Sequence, residues 1–142
     1  MNQNFIAKAE IDINAPKAKV WDALINPEII KQYFFGTEVV SDWKEGGPII
    51  WKGIWKEKPY EDKGTILKIE PEKLLLYTHF SPLVGVPDMP ENYHTLIYEL
   101  SDEGDPTHLS LTQDNNASEE EKDHSQQMWE MMLASLKKLL EE

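Results

Sequence analysis

The 142 residues contain no cysteine, which excludes disulfides, thiol nucleophiles and thiolate metal sites. Arginine is also missing: all 14 basic side chains are lysines, set against 26 acidic ones, for a formal net charge of −12. Without the planar guanidinium that grips phosphates in pairs, and with such an acidic balance, nucleic acid is not an expected partner. An anionic membrane surface would repel the chain as well. No apolar run is long enough to span a bilayer, and "MNQNFIAKAEIDI" lacks the charged and apolar regions of a signal peptide. No repeat of fixed period and no low-complexity tract interrupts the chain. These absences predict one cytoplasmic domain over residues 1–142, without membrane or nucleic-acid partners.

A hydrophobic content of 40% with five tryptophans is enough for a packed core. Phe5 to Ile13 alternate, with Phe5, Ala7, Ala9, Ile11 and Ile13 on one face, which predicts a half-buried strand. "KAKVWDALI" carries Val20, Trp21, Leu24 and Ile25 at helical spacing, after Pro16, which suits a first turn. Asn26-Pro27 ends that helix and begins a second, Pro27 to Tyr33. Strands are then predicted at Thr37–Trp43, Ile49–Lys56, Gly64–Ile69, Lys73–Phe80, Tyr93–Leu100 and Thr107–Asp114. Gly53 inside the second of these predicts a bulge or a sharp bend. The C-terminal segment opens with Ser118 and Glu121 spaced as a capping box, carries acidic residues in its first turn and Lys137 and Lys138 near its end, and shows a long apolar stripe. It predicts a helix of more than twenty residues.

One long helix over an antiparallel meander is an α+β arrangement, and a long helix on a curved sheet leaves space beneath it. This order, with the segments "INAPKAKVWDALINPEIIKQYF", "GTEVVSDWKEGGPIIW", "KGTILKIEPEKLLLYTHF" and "LTQDNNASEEEKDHSQQMWEMMLASLKKLLE", resembles the START-like (SRPBCC) superfamily. That is the helix-grip fold of the birch-pollen allergen. Within it the chain resembles the branch named after the activator of the heat-shock protein 90 ATPase. The resemblance implies a curved antiparallel sheet of about six to seven strands, two short helices, and a C-terminal helix packed across the sheet to enclose a cavity. It implies no single activity, since relatives include lipid carriers, receptors, polyketide cyclases and chaperone activators. The eukaryotic chaperone activator is matched only in its C-terminal domain. Its Asn/Trp/His-rich, chaperone-contacting N-terminal domain has no counterpart in these 142 residues.

Candidate ligand-binding residues follow from the pattern. Trp43, Trp51, Trp55, Tyr77, His79 and Tyr98 should include several inward-facing rings, alternation putting Trp51 with Trp55 on their strand and Tyr77 with His79 on theirs. Such rings offer apolar walls with polar tips, although aromatic side chains also fill ordinary cores. Met128, Trp129 and Met132 would form a helical wall, since methionine adapts to varied ligands. His79 stands in an apolar strand and is suited to acid–base work or ligand hydrogen bonding, a structural histidine being the simpler alternative. His94 begins the next strand; His108 and His124 read as solvent-facing. No histidine–carboxylate spacing predicts a metal site, and no motif implies a cofactor.

"SPLVGVPDMPENYHT" is an apolar loop stiffened by Pro82, Pro87 and Pro90. Leu83, Val84, Val86 and Met89 are expected either to cover the cavity mouth as a lid or to meet a second copy, so monomer and homodimer both stay open. The preferred expectation is a carrier of a small hydrophobic or aromatic molecule between sheet and last helix, with no catalytic residues. A cyclase or aromatase acting on a polyketide-like substrate through His79, Tyr77, Tyr98 and Gln113 is the second. A co-chaperone stimulating the heat-shock protein 90 ATPase is the third.

Overall fold

The computed structural model describes residues 5–34, 36–55, 57–81, 87–89, 92–101, 107–116 and 118–141. Their order is β1 (Phe5–Ile13), α1 (Lys17–Ile25), α2 (Pro27–Tyr33), β2 (Glu38–Ser41), β3 (Pro48–Trp55), β4 (Lys58–Glu70), β5 (Leu74–His79), β6 (His94–Ser101), β7 (Thr107–Asn116) and α3 (Glu119–Glu141). The strands form one antiparallel sheet, ordered β1-β7-β6-β5-β4-β3-β2. Apart from β1, which joins β7, each strand lies beside its neighbour in sequence, β5 and β6 being joined by the long proline loop. Two short helices and one long one cover the inner face. This is the α+β helix-grip arrangement expected from the sequence.

Helix boundaries follow local chemistry. Asn26 sits in extended backbone and its Oδ1 accepts the Glu28 N–H at 3.1 Å, while Pro27 opens α2 with its ring already at helical φ. Ser118 Oγ accepts the Glu121 N–H at 3.1 Å, satisfying a first-turn donor of α3. α3 packs chiefly across β1, with smaller contacts to β7, α1 and α2. It also protects the outer edge of β1. Gln126 Oε1 accepts the Lys8 N–H at 3.4 Å and Glu141 Oε2 accepts the Asn14 N–H at 2.8 Å, so edge donors that invite pairing with another chain meet side chains instead. Lys137 Nζ adds a bond to the Asp12 carbonyl at 2.7 Å. Trp129, Met132, Leu133, Leu136 and Leu140 face inward from α3 onto Ala7, Ala9, Ile13, Leu109 and Leu111.

Two expectations need correction. β4 begins at Lys58, not Gly64, because a tight turn ending in Glu57 folds β4 straight back on β3. Gly53 makes no bulge: β3 and β4 pair continuously from Pro48–Thr65 to Trp55–Lys58. It is glycine because the Tyr60 ring lies over it, and a Cβ there would come within 2.5 Å of the Tyr60 hydroxyl. The irregularities fall elsewhere, between Ile66 and Lys68 on β4 and between Phe5 and Ala7 on β1. Such bulges bend a sheet and increase its twist.

Candidate functional site

Alternation on β3 to β6 puts one row of rings on the inner face. Trp51 packs on Tyr77 at 5.2 Å between ring centroids and edge-on to His79 at 4.9 Å, and Tyr77 lies 5.7 Å from Tyr98. Four of the expected site residues, Trp51, Tyr77, His79 and Tyr98, are therefore brought together. A cavity of about 20 Å³ opens against this row. Its sheet side is Trp51, Tyr77 and Tyr98 with Ile49, Leu75 and Val39. Its other side is Leu24 of α1, Ile30 and Tyr33 of α2, and the following Phe34, with Trp43 from the β2–β3 connection.

The helical wall is thus α1–α2, where the sequence pointed to α3. α3 lies too far towards β1 to reach this row. Met132 is fully buried beneath it, Met128 is half-buried, and Trp129 touches the site only through Phe34, at 5.9 Å between rings. The Trp129 N–H is spent on Gln113 Oε1 at 2.5 Å, which also occupies the amide that had been a candidate acid–base group. Trp55 closes β3 opposite Lys58, and its side chain lies outside the described residues.

Three buried hydroxyls are close to this void. Tyr33 donates to the Ala23 carbonyl at 2.7 Å, leaving its proton committed. Tyr77 donates to Tyr98 at 2.9 Å. One bond between two hydroxyls uses one proton, so the Tyr98 O–H has no acceptor among the described residues, and Tyr98 is one of the residues lining the cavity. Burial raises Tyr77 well above the usual phenol range and pushes Tyr98 up to about 12, the Tyr77 hydrogen bond opposing the rise at Tyr98. Both stay protonated at neutral pH, Tyr77 donating to Tyr98 and Tyr98 keeping its proton available.

At the rim, Trp43 has φ 55, a left-handed backbone that a bulky side chain rarely adopts. Its N–H donates to Ser41 Oγ at 3.0 Å, which helps hold that turn. Such a conformation costs on the order of 1–3 kcal/mol and persists where the surroundings enforce it.

His79 does not hang on backbone. Its Nε2 lies 2.9 Å from Asp62 Oδ2, both side chains being largely buried. Asp62 stands opposite Trp51 on β4 and so shares the inner face with it. Asp62 Oδ1 is buried without a partner among the described residues, a state that costs about 1–3 kcal/mol for a typical acceptor. Asp62 escapes the sequence reading because the strand predicted there starts at Gly64, two residues beyond it. The signal that could have found it is the alternation Tyr60, Asp62, Gly64, Ile66. His94, opposite His79, is instead structural: its Nδ1 donates to the Asp114 carbonyl at 2.8 Å. His124 is exposed, and His108 is clasped by Asp12 and Glu10 on the outer face. No group of residues that could hold a metal occurs among those described.

Of the proline loop, Leu83, Val84 and Val86 lie outside the described residues. Met89 is exposed. The described end of the loop is tied down by Asp88, which pairs with Lys63 and accepts the Tyr93 hydroxyl at 2.6 Å.

The fold and its inner-face cavity define a helix-grip protein of the START-like class. The chain belongs to the family described as Activator of Hsp90 ATPase homolog 1-like protein, whose model matches residues 14–141. The solution structure of ChR145 from Cytophaga hutchinsonii is similar at 56% identity and a TM-score of 0.88, covering 99% of this chain and 97% of that one. The Aha1 dimer from Colwellia psychrerythraea shares the fold at 20% identity and a TM-score of 0.73, with 95% of each chain covered. DynU16, from the dynemicin biosynthetic locus, shares it at 17% identity and a TM-score of 0.80, covering 96% of this chain and 47% of DynU16. No curated protein matches the chain. No helix among the described residues is long and apolar enough to cross a membrane.

Proposed function

We propose that the chain binds a small hydrophobic or aromatic molecule on the inner face of β3–β6, beneath α1 and α2, without chemistry of its own. The observation that carries this is the hydroxyl of Tyr98, a buried residue of the aromatic cavity wall, whose proton has no acceptor among the described residues. A buried hydroxyl that accepts one bond and donates none keeps a donor for a ligand. A flat ligand bearing a carbonyl oxygen would stack on Trp51 and Tyr77 and accept from Tyr98.

As it stands the cavity holds about one water molecule, so a ligand must displace side chains. Phe34 and Trp43 are the half-buried members of the wall and have the least packing to lose. Leu83, Val84, Val86 and Met89 are proposed as the lid over the entrance. Thermal-shift and native mass-spectrometry screens with flavonoids, sterols, fatty acids and polyketides test the reading. A binder at a hundred times its Kd stabilises the fold by about 2.7 kcal/mol. Absence of any shift across all four classes at millimolar concentration overturns it.

A second reading, acid–base chemistry on an oxygenated aromatic substrate, is favoured by one observation: the side-chain partner of His79 is a carboxylate. Turnover of such a substrate, abolished in His79→Gln, would replace simple binding with catalysis. Stimulation of an ATP-driven chaperone is supported by the family description alone.

A further inference from the structure

The geometry points to Asp62 and His79 as a subsite for a phenolic hydroxyl at one end of the aromatic row, which rests on the binding reading above and gives its ligand a second polar group. A carboxylate only accepts hydrogen bonds, so the 2.9 Å contact requires His79 Nε2 to carry the proton. In a neutral imidazole Nδ1 is then a bare acceptor. No described residue bonds to Nδ1, and the ring is partly open to solvent, with 24% of its side chain exposed. Asp62 has no described donor other than His79, and its Oδ1 is buried and unpaired. The carboxylate therefore acts wholly on this one ring, fixing its tautomer and its plane.

Trp51 ties the subsite to the cavity. It lines the void, packs edge-on to His79, and stands opposite Asp62 on the neighbouring strand. A ring stacked along Trp51 and Tyr77 presents one end to the Tyr98 donor and the other to the His79 acceptor. The ligand class that satisfies both carries an O–H at one end and a carbonyl or ether oxygen at the other. His94, directly across from His79, does not compete for the hydroxyl, because its own Nδ1 is committed to the Asp114 carbonyl.

The test compares 4-ethylphenol with 4-ethylanisole, which keeps the ring and loses the O–H. Affinities are read from amide NMR shifts and tryptophan fluorescence. In the wild-type chain the phenol should bind about tenfold more tightly, the size of one well-made buried hydrogen bond. In Asp62→Asn and His79→Phe that ratio should fall to about one, whatever the change in 4-ethylanisole affinity, since the ratio isolates the O–H contact. A measurement on the unaltered protein covers the case in which these variants fail to fold. ¹⁵N spectra of His79 should show Nε2 protonated and Nδ1 bare, and 4-ethylphenol should move the Nδ1 resonance. Equal affinity for the two probes, or a protonated Nδ1, overturns the subsite and leaves the cavity reading standing. If neither probe binds, the subsite is overturned, while the cavity reading stands or falls on the four-class screen above.

Discussion

Single residues decide how closely the sheet can pack near the site, and glycine contacts give the sharpest case. A Cβ on Gly64 would lie 1.7 Å from the Thr78 carbonyl oxygen of β5. Backbone cannot swing aside as a side chain can, so Gly64→Ala must push β4 away from β5, next to His79. We expect a loss of at least ~3 kcal/mol, the scale of severe overpacking, read as a lower urea midpoint. Gly53→Ala is the useful contrast. Its Cβ meets the end of the Tyr60 side chain, which can rotate at the cost of its 2.9 Å bond to Thr37. That change should cost less than half as much as Gly64→Ala; comparable losses would show that the obstacle at Gly64 is not the Thr78 backbone.

Elements reveal what could be read in advance. α2 and α3 were legible because Asn26-Pro27 and Ser118 mark their starts and their apolar positions repeat at helical spacing. The start of β4 was not, because its turn carries no glycine or asparagine: Glu57 takes φ 66 itself, so residue type gave no cue. The aromatic row was legible as a period of two. Which helices face it was not, since that depends on α3 lying over β1, a consequence of β1 joining β7 across the whole chain. The β1–β7 pairing carries a testable ion cluster. His108 on β7 bonds Asp12 at 2.7 Å and Glu10 at 3.2 Å on β1. Asp12 first and Glu10 second hold the imidazolium, raising His108 above 6.5, while His108 and then Lys8 lower Glu10 below 4.5. The histidine's contribution is complete below pH 6.5 and fades as pH rises through its raised folded value. That of Glu10 is complete above pH 4.5 and fades as pH falls through its lowered one. The wild-type advantage over His108→Gln should therefore peak between about pH 4.5 and 6.5 and shrink towards pH 8. An advantage that grows from pH 6 to pH 8 in thermal melts would contradict the clamp.

On the scale of the whole molecule, charge sets the balance. Twenty-six acidic side chains against 14 lysines leave −12, and this excess repels itself in the compact state more than in the expanded chain. Ion pairs work the other way. Lys137–Glu141 at 2.7 Å, Lys8–Glu10 at 3.7 Å and Lys63–Asp88 are attractive, but all are substantially exposed, where a pair contributes at most about 1 kcal/mol and often nothing measurable. Salt weakens both kinds of interaction. From about 10 mM to 150 mM the screening length falls from about 30 Å to about 8 Å. Contacts below 4 Å keep much of their attraction at the higher salt, whereas repulsion summed over a molecular diameter is largely removed. Repulsion should therefore be the larger loss, and the melting temperature at pH 7 should rise over this range. 4-Ethylphenol carries no charge, so its binding should change little over the same range. A melting temperature that falls with added salt would mean that the surface pairs, not the net charge, govern the electrostatics of this fold.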